Sequence, residues 1–416
     1  MIEVLGIVLA GGRGDRLYPL TRDRAKPAVP FGGKYRIIDF VLSNFINSGI
    51  YSVYVLTQFK AQSLIEHLEL SWRLSDFFGE RFITPVPAQM RVGKEWYQGT
   101  ADAVYQNLYL LERHHPQMVA VFGADHVYRM NLRQMKEAHR DVEAEATVAV
   151  LPVKIEEAHQ FGVIQVDQDW CIVGFEEKPE KPRPIPGEPG YALVSIGNYF
   201  FNTDVLIQAL GEDAVIQTSS HDFGRDLLPG MINKKKVYAY DFRRNSLPFF
   251  QEGEKASYWR DLGTIDAYYE ASMDLRSVDP ALNLYNPSWP IRTVGYGDPP
   301  AKFVFDWQER RGIAENSLVG EGTIISGSVV RNSIVSRNVR IHSYGLVEDS
   351  ILLAWVEIGR GCRIRRTIID KHNIIPPGTE IGYDLAKDRE RYFVSENGIV
   401  VVPRSEPRSD WLRGSL

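Results

Sequence analysis

The sequence is poor in cysteine, and this limits the kinds of fold and site it can form. Only two cysteines occur among 416 residues, Cys171 and Cys362, and neither belongs to a CxxC motif or a cluster with histidine. This argues against a disulfide framework and against a structural zinc site. A reducing compartment such as the cytoplasm fits the pattern.

Targeting and membrane-spanning segments are also missing. The first residues, MIEVLGIVLAGG, contain an apolar stretch but no basic region before it, which argues against a signal peptide. No uninterrupted apolar run approaches the roughly 18 residues of a transmembrane helix. We therefore expect a soluble protein with no membrane partner.

The charge shows no large excess of either sign. Lys and Arg number 48 against 53 Asp and Glu, a net charge of −5, which argues against a nucleic-acid or anionic-membrane partner. Hydrophobic residues make up 44% and charged residues 24%, as in an ordinary globular protein. The length predicts two or three domains of about 150 residues each.

Short β-branched runs alternate with helix-period stretches up to about residue 275. Val4–Ala10, Ser52–Thr57 and Met118–Gly123 read as buried strands, and residues 100–115 have helical spacing. This alternation predicts an α/β, Rossmann-like domain with a mainly parallel sheet. Ligands of such sheets bind at the carboxyl ends of the strands.

A proline-rich segment follows at residues 277–300. Its five prolines exclude a central strand or a helix, so we predict a first domain at 1–276 and a connector at 277–312.

Aliphatic residues recur beyond the connector at intervals of six, with glycine and asparagine between them. The repeat predicts a left-handed parallel β-helix domain at 313–416, with a plain antiparallel sheet as the alternative. The recurring residues are Val329, Val335, Ile341, Val347 and Leu353, then Ile358 and Ile364, then Ile369, Ile375 and Ile381.

A glycine-rich loop, LAGGRGDRL, follows the first predicted strand. Gly11 and Gly12 let the backbone approach a phosphate or base closely, and Arg16 can present a charged fork to a polyphosphate. The loop is neither a Walker A motif nor a GxGxxG motif. Residues 13–36 hold seven basic and two acidic residues, which could form a solvated basic face. Lys26, however, precedes a rigid PAVP segment, which indicates that its side chain is held in position.

Two aspartates are candidate metal ligands. Asp125 directly follows the third predicted strand, and Asp261 lies in the sequence WRDLGT. Each alone would be read as a helix cap or turn residue. Beside a phosphate-binding loop, however, they make a plausible pair for Mg²⁺, which prefers one or two carboxylates together with phosphate oxygens.

These motifs together resemble one family. LAGGRGDRLYPLTRDRAKPAVPFGGKYRIIDF closely resembles the opening of the glucose-1-phosphate adenylyltransferases, which belong to the sugar-phosphate nucleotidylyltransferases. The resemblance continues through WYQGTADAVYQN, FGADHVYRM, FEEKP, SIGNYFF, DFGRDLLP and YWRDLGTIDAYYEA into the repeat region. It implies Mg²⁺-dependent transfer of AMP from ATP to α-D-glucose 1-phosphate, which gives ADP-glucose and pyrophosphate for α-glucan synthesis.

The resemblance also assigns roles to single residues. Arg16, Lys26 and Asp125 would be catalytic, and Asp125 and Asp261 would hold the metal. ATP would be bound by Gly11, Gly12, Arg16, Lys26 and Gln89, and glucose 1-phosphate by Tyr97, Gly162, Glu177, Lys178 and Ser195.

Members of the family are typically homotetramers regulated by small anionic metabolites. The resemblance places the effector site between the basic N-terminal segment and the β-helix, so Arg24, Lys34, Arg36, Lys371 and Arg404 are candidate effector residues, with solvent-facing charge as the alternative. Asp23 departs from the basic residue common at that position, which leaves the identity of the effector open.

Three other functions compete with this interpretation. The first is a nucleotidylyltransferase that uses UTP, dTTP or GTP, and the second is a pyrophosphorylase joined to an acyltransferase β-helix. The third is a non-catalytic regulatory subunit on the same scaffold, which would have lost the charged site residues retained here.

Overall fold

The computed structural model describes residues 2–74, 80–92, 94–248, 257–304 and 310–405, which form two compact units. The sheet unit comprises Met1–Gly12, Phe40–Trp259 and Asn286–Ile291. The β-helix unit comprises Arg13–Asp39, Arg260–Tyr285 and Arg292–Leu416. The chain therefore contributes segments to each unit in turn, while the linear boundaries at 276 and 312 stay a prediction. Parts of the predicted connector and last domain, 305–309 and 406–416, lie outside the described residues.

The sheet unit contains one mixed sheet. Val4–Ala10 lies between Ser52–Thr57 and Met118–Gly123 and is parallel to both, so these three predicted strands are confirmed at the predicted bounds. Tyr191–Asn202 pairs antiparallel with Met118–Gly123. The remaining strands of this sheet are Phe82–Pro87, Ala146–Lys154, Gly162–Val166, Ile172–Glu177 and Val237–Asp241.

The described residues also form α-helices and short strands. The α-helices are Ile37–Asn47, Gln62–Ser71, Thr100–Tyr105, Tyr109–His114, Leu132–Asp141, Thr203–Ala214, Leu228–Met231, Ile265–Asp274 and Leu385–Arg389. Short strands outside the large sheets are Pro30–Phe31, Tyr35–Arg36, His126–Tyr128 and Trp259–Asp261. None of the helices within the described ranges is both long enough and apolar enough to cross a bilayer.

The helix predicted over residues 100–115 is two helices, Thr100–Tyr105 and Tyr109–His114. Asn107 causes the break because its side-chain amide donates to the carbonyl oxygen of Ala103 at 2.8 Å. Its backbone N–H instead donates to the carbonyl oxygen of Val104, three residues back, at 3.0 Å, so the chain forms a tighter turn here. A side chain that competes with the backbone for acceptors interrupts a helix in this way.

The described residues of the repeat region form three sheets in which strands pair in parallel from one coil to the next, as the predicted β-helix requires. The last strand of the third sheet, Phe393–Val394, instead pairs antiparallel with Val400–Val402. The first sheet contains Lys302–Val304, Ile324–Ser326, Arg340–Ile341, Glu357–Ile358 and Ile374–Ile375. The second contains Ile313–Glu315, Val329–Arg331, Leu346–Glu348, Arg363–Arg365 and Glu380–Ile381. The third contains Leu318–Val319, Ile334–Val335, Ile351–Leu352, Thr367–Ile369, Val400–Val402 and Phe393–Val394.

The first run of the predicted repeat, from Val329 to Leu353 at an unbroken interval of six, is wrong in detail. Val347 stacks on Ile364 and Leu352 on Ile369, so most coils are seventeen residues long. The core therefore takes the series Val330, Val335, Ile341, Val347, Leu352, Ile358, Ile364, Ile369, Ile375 and Ile381. Val329 is half-buried beside this core, and Leu352 rather than Leu353 continues the stack. In each seventeen-residue coil, one of the three sides is a residue shorter than the other two.

Candidate functional site

The predicted phosphate loop begins at the carboxyl end of the central strand of the sheet unit. A Cβ added at Gly11 would lie 3.3 Å from the Cβ of Gln58, while one at Gly12 would meet nothing within 4 Å. Gln58 in turn donates its amide to the carbonyl oxygen of Tyr97 at 3.3 Å. The sequence interpretation missed Gln58, although a polar residue directly after a buried strand is the available signal.

Asp125 lies where a parallel sheet presents ligand-binding groups, two residues after Met118–Gly123. Its side chain is 45% exposed, and its Oδ1 lies 3.2 Å from Nδ1 of His126. The ring of His126 packs against Trp259, with 4.8 Å between ring centroids. The carboxylate is thus held on a buried strand end while it stays accessible to solvent.

Three of the residues assigned to glucose 1-phosphate lie on paired strands. Gly162 is directly opposite Glu177, and the strand that carries Ser195 pairs with the strand of Gly162. A Cβ at Gly162 would lie 2.6 Å from the ring of Phe175 and 3.1 Å from Oε2 of Glu177, so glycine is required there. The structure therefore brings the glycine and the carboxylate of the predicted sugar site together.

Lys178 follows these strands and points its ammonium toward solvent. Its φ is +47°, and its backbone N–H donates to the carbonyl of Phe161 at 3.0 Å. The side chain is 57% exposed, with Nζ 3.6 Å from Oε1 of Glu177. The loop is thus fixed by its backbone, whereas the ammonium is accessible to an anion.

Tyr97 is half-buried, and its hydroxyl accepts a hydrogen bond from Nδ2 of Asn107 at 2.8 Å. Burial raises the pKa of Tyr97, so the phenol stays protonated near neutral pH and its O–H can donate to a phosphate oxygen.

Gln89 is exposed, and its amide oxygen accepts from Nε of Arg91 at 3.3 Å. The guanidinium of Arg91 in turn stacks over the ring of Tyr109 at 3.7 Å.

The β-helix unit brings together three other predicted residues. Nζ of Lys26 lies 3.0 Å from Oδ1 of Asp261, and Nη2 of Arg16 lies 3.9 Å from Oδ2. Lys26 is almost fully buried, whereas the side chain of Arg16 is 71% exposed. Gly14, at φ +67°, passes so close that an added Cβ would lie 2.8 Å from Lys26. Two cations thus share one carboxylate, and the arginine remains open to a polyanion.

A cavity of about 190 Å³ in the β-helix unit is lined by three of the predicted effector residues, Lys34, Arg36 and Lys371. Burial, together with the guanidinium groups of Arg36 and Arg24, holds the pKa of Lys371 well below its usual value. Ser336 lines the same cavity, and its buried Oγ has no hydrogen-bond partner among the described residues. The cavity therefore offers basic and hydroxyl groups to an anion.

Arg24, another of the predicted effector residues, pairs with a buried carboxylate. Its guanidinium donates to both oxygens of Asp370 at 2.8 to 3.0 Å, and both side chains are at most 3% exposed. Although burial opposes ionisation, Arg22 and then Arg24 and Arg404 hold the pKa of Asp23 below its usual value. The negative charge of Asp23, which stands where a basic residue is common, is therefore neutralised by neighbouring arginines. Arg24 is engaged by a buried carboxylate in this structure, and its role toward an effector stays a prediction.

The buried pair of Arg24 and Asp370 should matter for stability. We expect Asp370→Asn to lower the free energy of unfolding by about 3–5 kcal/mol, because it leaves a buried guanidinium without its counter-charge. Equilibrium urea unfolding measures this change. Glu321→Gln is the matched control, since it removes the exposed pair with Lys34 and should cost less than about 1 kcal/mol. Equal effects of the two substitutions would contradict this role of Arg24.

Comparison with known proteins identifies the family. A nucleotidyl transferase family model matches residues 5–278, and a model described as GlmU-like, C-terminal hexapeptide matches residues 299–402. The chain is 58% identical to a glucose-1-phosphate adenylyltransferase of Thermus thermophilus, over 97% of this chain and 98% of that protein. It is 52% identical to the one of Anaeromyxobacter sp., over 97% and 99%, and 50% identical to the one of Deinococcus radiodurans, over 97% and 98%. The chain is therefore a nucleotidyltransferase and belongs to the glucose-1-phosphate adenylyltransferase family.

Proposed function

We propose that this protein transfers AMP from ATP to α-D-glucose 1-phosphate and releases ADP-glucose and pyrophosphate. The observation that carries the proposal is the near-full-length identity of 50–58% to relatives that are named for this reaction. The charged residues that the reaction needs are all retained in this chain, which argues against a non-catalytic subunit.

The chemistry requires positioning more than proton transfer. The phosphate of glucose 1-phosphate is already an anionic nucleophile near neutral pH, so it can attack the α-phosphorus of ATP without a general base. The protein must align two polyanions and offset their repulsion. In this proposal Arg16 and Lys26 bind the triphosphate and the charge that develops on pyrophosphate. Gly11 and Gly12 pass beneath the base, and Gln89 reads the adenine edge.

The sugar phosphate is held by the strand ends of the sheet unit. Lys178 binds its phosphate with the solvent-accessible ammonium, and Tyr97 donates its phenolic O–H. Glu177 accepts from the sugar hydroxyls, and Ser195 bonds to them through its own hydroxyl. Gly162 lets the backbone approach the ring closely, which fits the crowding that a Cβ would meet there.

The donor atoms of Asp125 and Asp261 fit Mg²⁺, which prefers carboxylate oxygens. When bound, the ion supplies charge neutralisation to the reacting phosphates. Asp125 is half-exposed at a strand end, and Asp261 is held in place by Lys26. These two carboxylates are therefore the residues that we propose to hold the metal.

Small anionic metabolites would regulate the enzyme through the cavity lined by Lys34, Arg36 and Lys371, with Arg404 as a further candidate. A sugar phosphate or carboxylate would restore a counter-charge to the crowded cations there. We place this regulated enzyme in α-glucan synthesis in the cytoplasm, as a homotetramer.

Regulation can be tested with rate assays across fructose 6-phosphate, fructose 1,6-bisphosphate, 3-phosphoglycerate and pyruvate. We expect at least one of them to stimulate the rate severalfold. In Lys371→Gln, the effector concentration that gives half-maximal stimulation should be about tenfold higher or more. Stimulation should also weaken as the pH rises, because a Lys371 ammonium with a lowered pKa loses its proton earlier than an ordinary lysine. A flat response to all four compounds would contradict effector binding at this cavity.

The reaction itself is tested by measuring pyrophosphate release from ATP, UTP, dTTP or GTP, each in turn with glucose 1-phosphate and Mg²⁺. ATP should be used far better than the other three nucleotides. A preference for another nucleotide would indicate a different sugar nucleotidylyltransferase. Release with none of them would favour a regulatory subunit, and turnover of an acyl donor would favour the acyltransferase alternative.

A further inference from the structure

A short loop of the sheet unit, residues 219–222, covers the beginning of the Thr100–Tyr105 helix. The carbonyl oxygen of His221 accepts hydrogen bonds from the backbone N–H groups of Ala101 at 2.7 Å and Asp102 at 3.3 Å. These are two of the donors that the first turn of a helix leaves unsatisfied. A Cβ at Gly99 would lie 2.2 Å from the same carbonyl oxygen, so the loop and the helix start fit only with glycine there.

His221 can make these contacts only in an unfavourable backbone conformation. Its φ is +53°, in the left-handed region that costs a non-glycine residue free energy unless other contacts hold it there. Asp213 supplies such contacts: its Oδ2 lies 2.7 Å from Nδ1 of His221, and its Oδ1 accepts from the hydroxyl of Ser219 at 2.7 Å. The oxygen of Ser219 then accepts the N–H of His221 at 2.9 Å.

The Asp213 and His221 side chains form a largely buried pair. They are 8% and 15% exposed, so water competes little for the hydrogen bond between them. The pair lies at the end of the Thr203–Ala214 helix, outside the residues assigned to either substrate. It is therefore a buried ionisable pair that the proposed reaction does not itself use.

The loop is connected to the proposed glucose 1-phosphate site in two ways. The helix that it caps follows Tyr97 by three residues, and the N–H of Gln98 donates to Oδ2 of Asp102 at 2.9 Å. Gly224, two residues after the loop, donates its N–H to Oδ1 of Asp222 at 2.9 Å, and a Cβ there would lie 3.1 Å from the ring of Phe175. That ring is the neighbour that excludes a side chain at Gly162. A shift of the loop would therefore move both the Tyr97 segment and the surroundings of Gly162.

We propose that His221, held in its left-handed conformation by Asp213, is a positioning residue that sets the affinity for glucose 1-phosphate. The inference rests on the proposed function, since it assumes that Tyr97 and Gly162 bind that substrate. Without the contact to Asp213, His221 relaxes to an ordinary backbone conformation and its carbonyl leaves the helix start. Tyr97 then loses its fixed place, and small displacements of substrate-binding groups have large kinetic costs.

Two substitutions at His221 separate the backbone conformation from the side-chain contact. Glycine accepts a positive φ but adopts other conformations as readily, and it has no side chain by which Asp213 could hold it in place. Asparagine tolerates a positive φ and carries an N–H donor near the place of Nδ1. We expect His221→Gly to raise KM for glucose 1-phosphate about tenfold. KM for ATP should stay within about twofold, and His221→Asn should restore most of the loss.

Two further variants make the test independent of a single substitution. Asp213→Ala leaves His221 unchanged and should raise the same KM, so it carries the test if His221→Gly does not fold. His115→Gly is the matched control, because His115 also has a positive φ, +46°, at the end of the Tyr109–His114 helix. This control should leave KM for both substrates unchanged.

The outcomes distinguish this inference from the proposed function. If wild-type protein releases pyrophosphate but His221→Gly and Asp213→Ala keep the wild-type KM for glucose 1-phosphate, the positioning role is wrong. It is also wrong if His221→Asn loses as much as His221→Gly, or if KM for ATP rises equally. If wild-type protein releases no pyrophosphate from ATP and glucose 1-phosphate, the proposed function fails and this inference fails with it.

Discussion

Asp125→Asn should reduce turnover about a thousandfold, because several kcal/mol of charge stabilisation on the reacting phosphates depends on a full carboxylate at this position. The amide has nearly the same shape but binds Mg²⁺ far more weakly. The protein should remain folded, since Asp125 is half-exposed and the substitution hardly changes the shape of the side chain. Pyrophosphate release at saturating ATP and glucose 1-phosphate measures the loss.

A second aspartate of the same unit provides the control for Asp125. Asp169 lies in an exposed turn, and its backbone N–H donates to Asp167, so Asp169→Asn removes the same charge without touching a strand end. We expect this variant to keep wild-type turnover. Unfolding curves of both variants should match that of the wild type. If Asp125→Asn retained turnover within about threefold of wild type, the metal assignment would be refuted.

Lys178→Ala should raise KM for glucose 1-phosphate about a hundredfold, because a charge-assisted contact to the substrate phosphate is lost. The value of kcat should change much less, since the lysine binds the phosphate in the ground state and in the transition state. KM for ATP should stay near the wild-type value. Initial-rate measurements with each substrate varied in turn separate these constants.

Lys181 is the matched control for Lys178, three residues along the same proline-rich loop and exposed. Lys181→Ala removes an equal charge from the surface near the site and should leave KM for glucose 1-phosphate unchanged. Should both alanine variants show the same modest rise, the effect would be general electrostatics rather than a specific phosphate contact. An unaltered KM in Lys178→Ala would exclude the residue from the substrate site.

Local patterns predicted much of the sheet unit. Val4–Ala10, Ser52–Thr57 and Met118–Gly123 match their predicted bounds, because continuous β-branched runs buried on both faces have few alternatives to a parallel strand. The helix over residues 100–115 was wrong as a single helix. The interruption depends on the side chain of Asn107, which competes with the backbone for the carbonyl oxygen of Ala103. The spacing of hydrophobic residues carries no information about such a side-chain hydrogen bond.

The repeat region shows a similar division. Periodicity predicted stacked coils, which the parallel pairing from coil to coil confirms. In the first run it gave the wrong stacking residues, Val329 and Leu353, because an unbroken interval of six cannot represent a coil with a shortened side. Only the pairing between coils identifies Val330 as the residue that points inward.

The candidate site was predictable to different degrees. The proximity of Lys26, Arg16 and Asp261 follows from no local pattern, since more than two hundred residues separate the aspartate from the cations along the chain. The family motifs singled out these residues, and the geometry adds how they pair. The pairing of Arg24 with Asp370 could not be foreseen, because a basic run does not reveal which member is buried.

The identity of the products tests the central claim most directly. Purified protein would be incubated with ATP, radiolabelled glucose 1-phosphate, Mg²⁺ and inorganic pyrophosphatase, and the sugar nucleotide separated by chromatography. The account predicts labelled ADP-glucose together with two phosphate ions for each molecule formed, because the pyrophosphatase splits the one pyrophosphate that is released. Labelled glucose 1-phosphate that stays unchanged, or label that enters another sugar nucleotide only when another nucleotide replaces ATP, would contradict it.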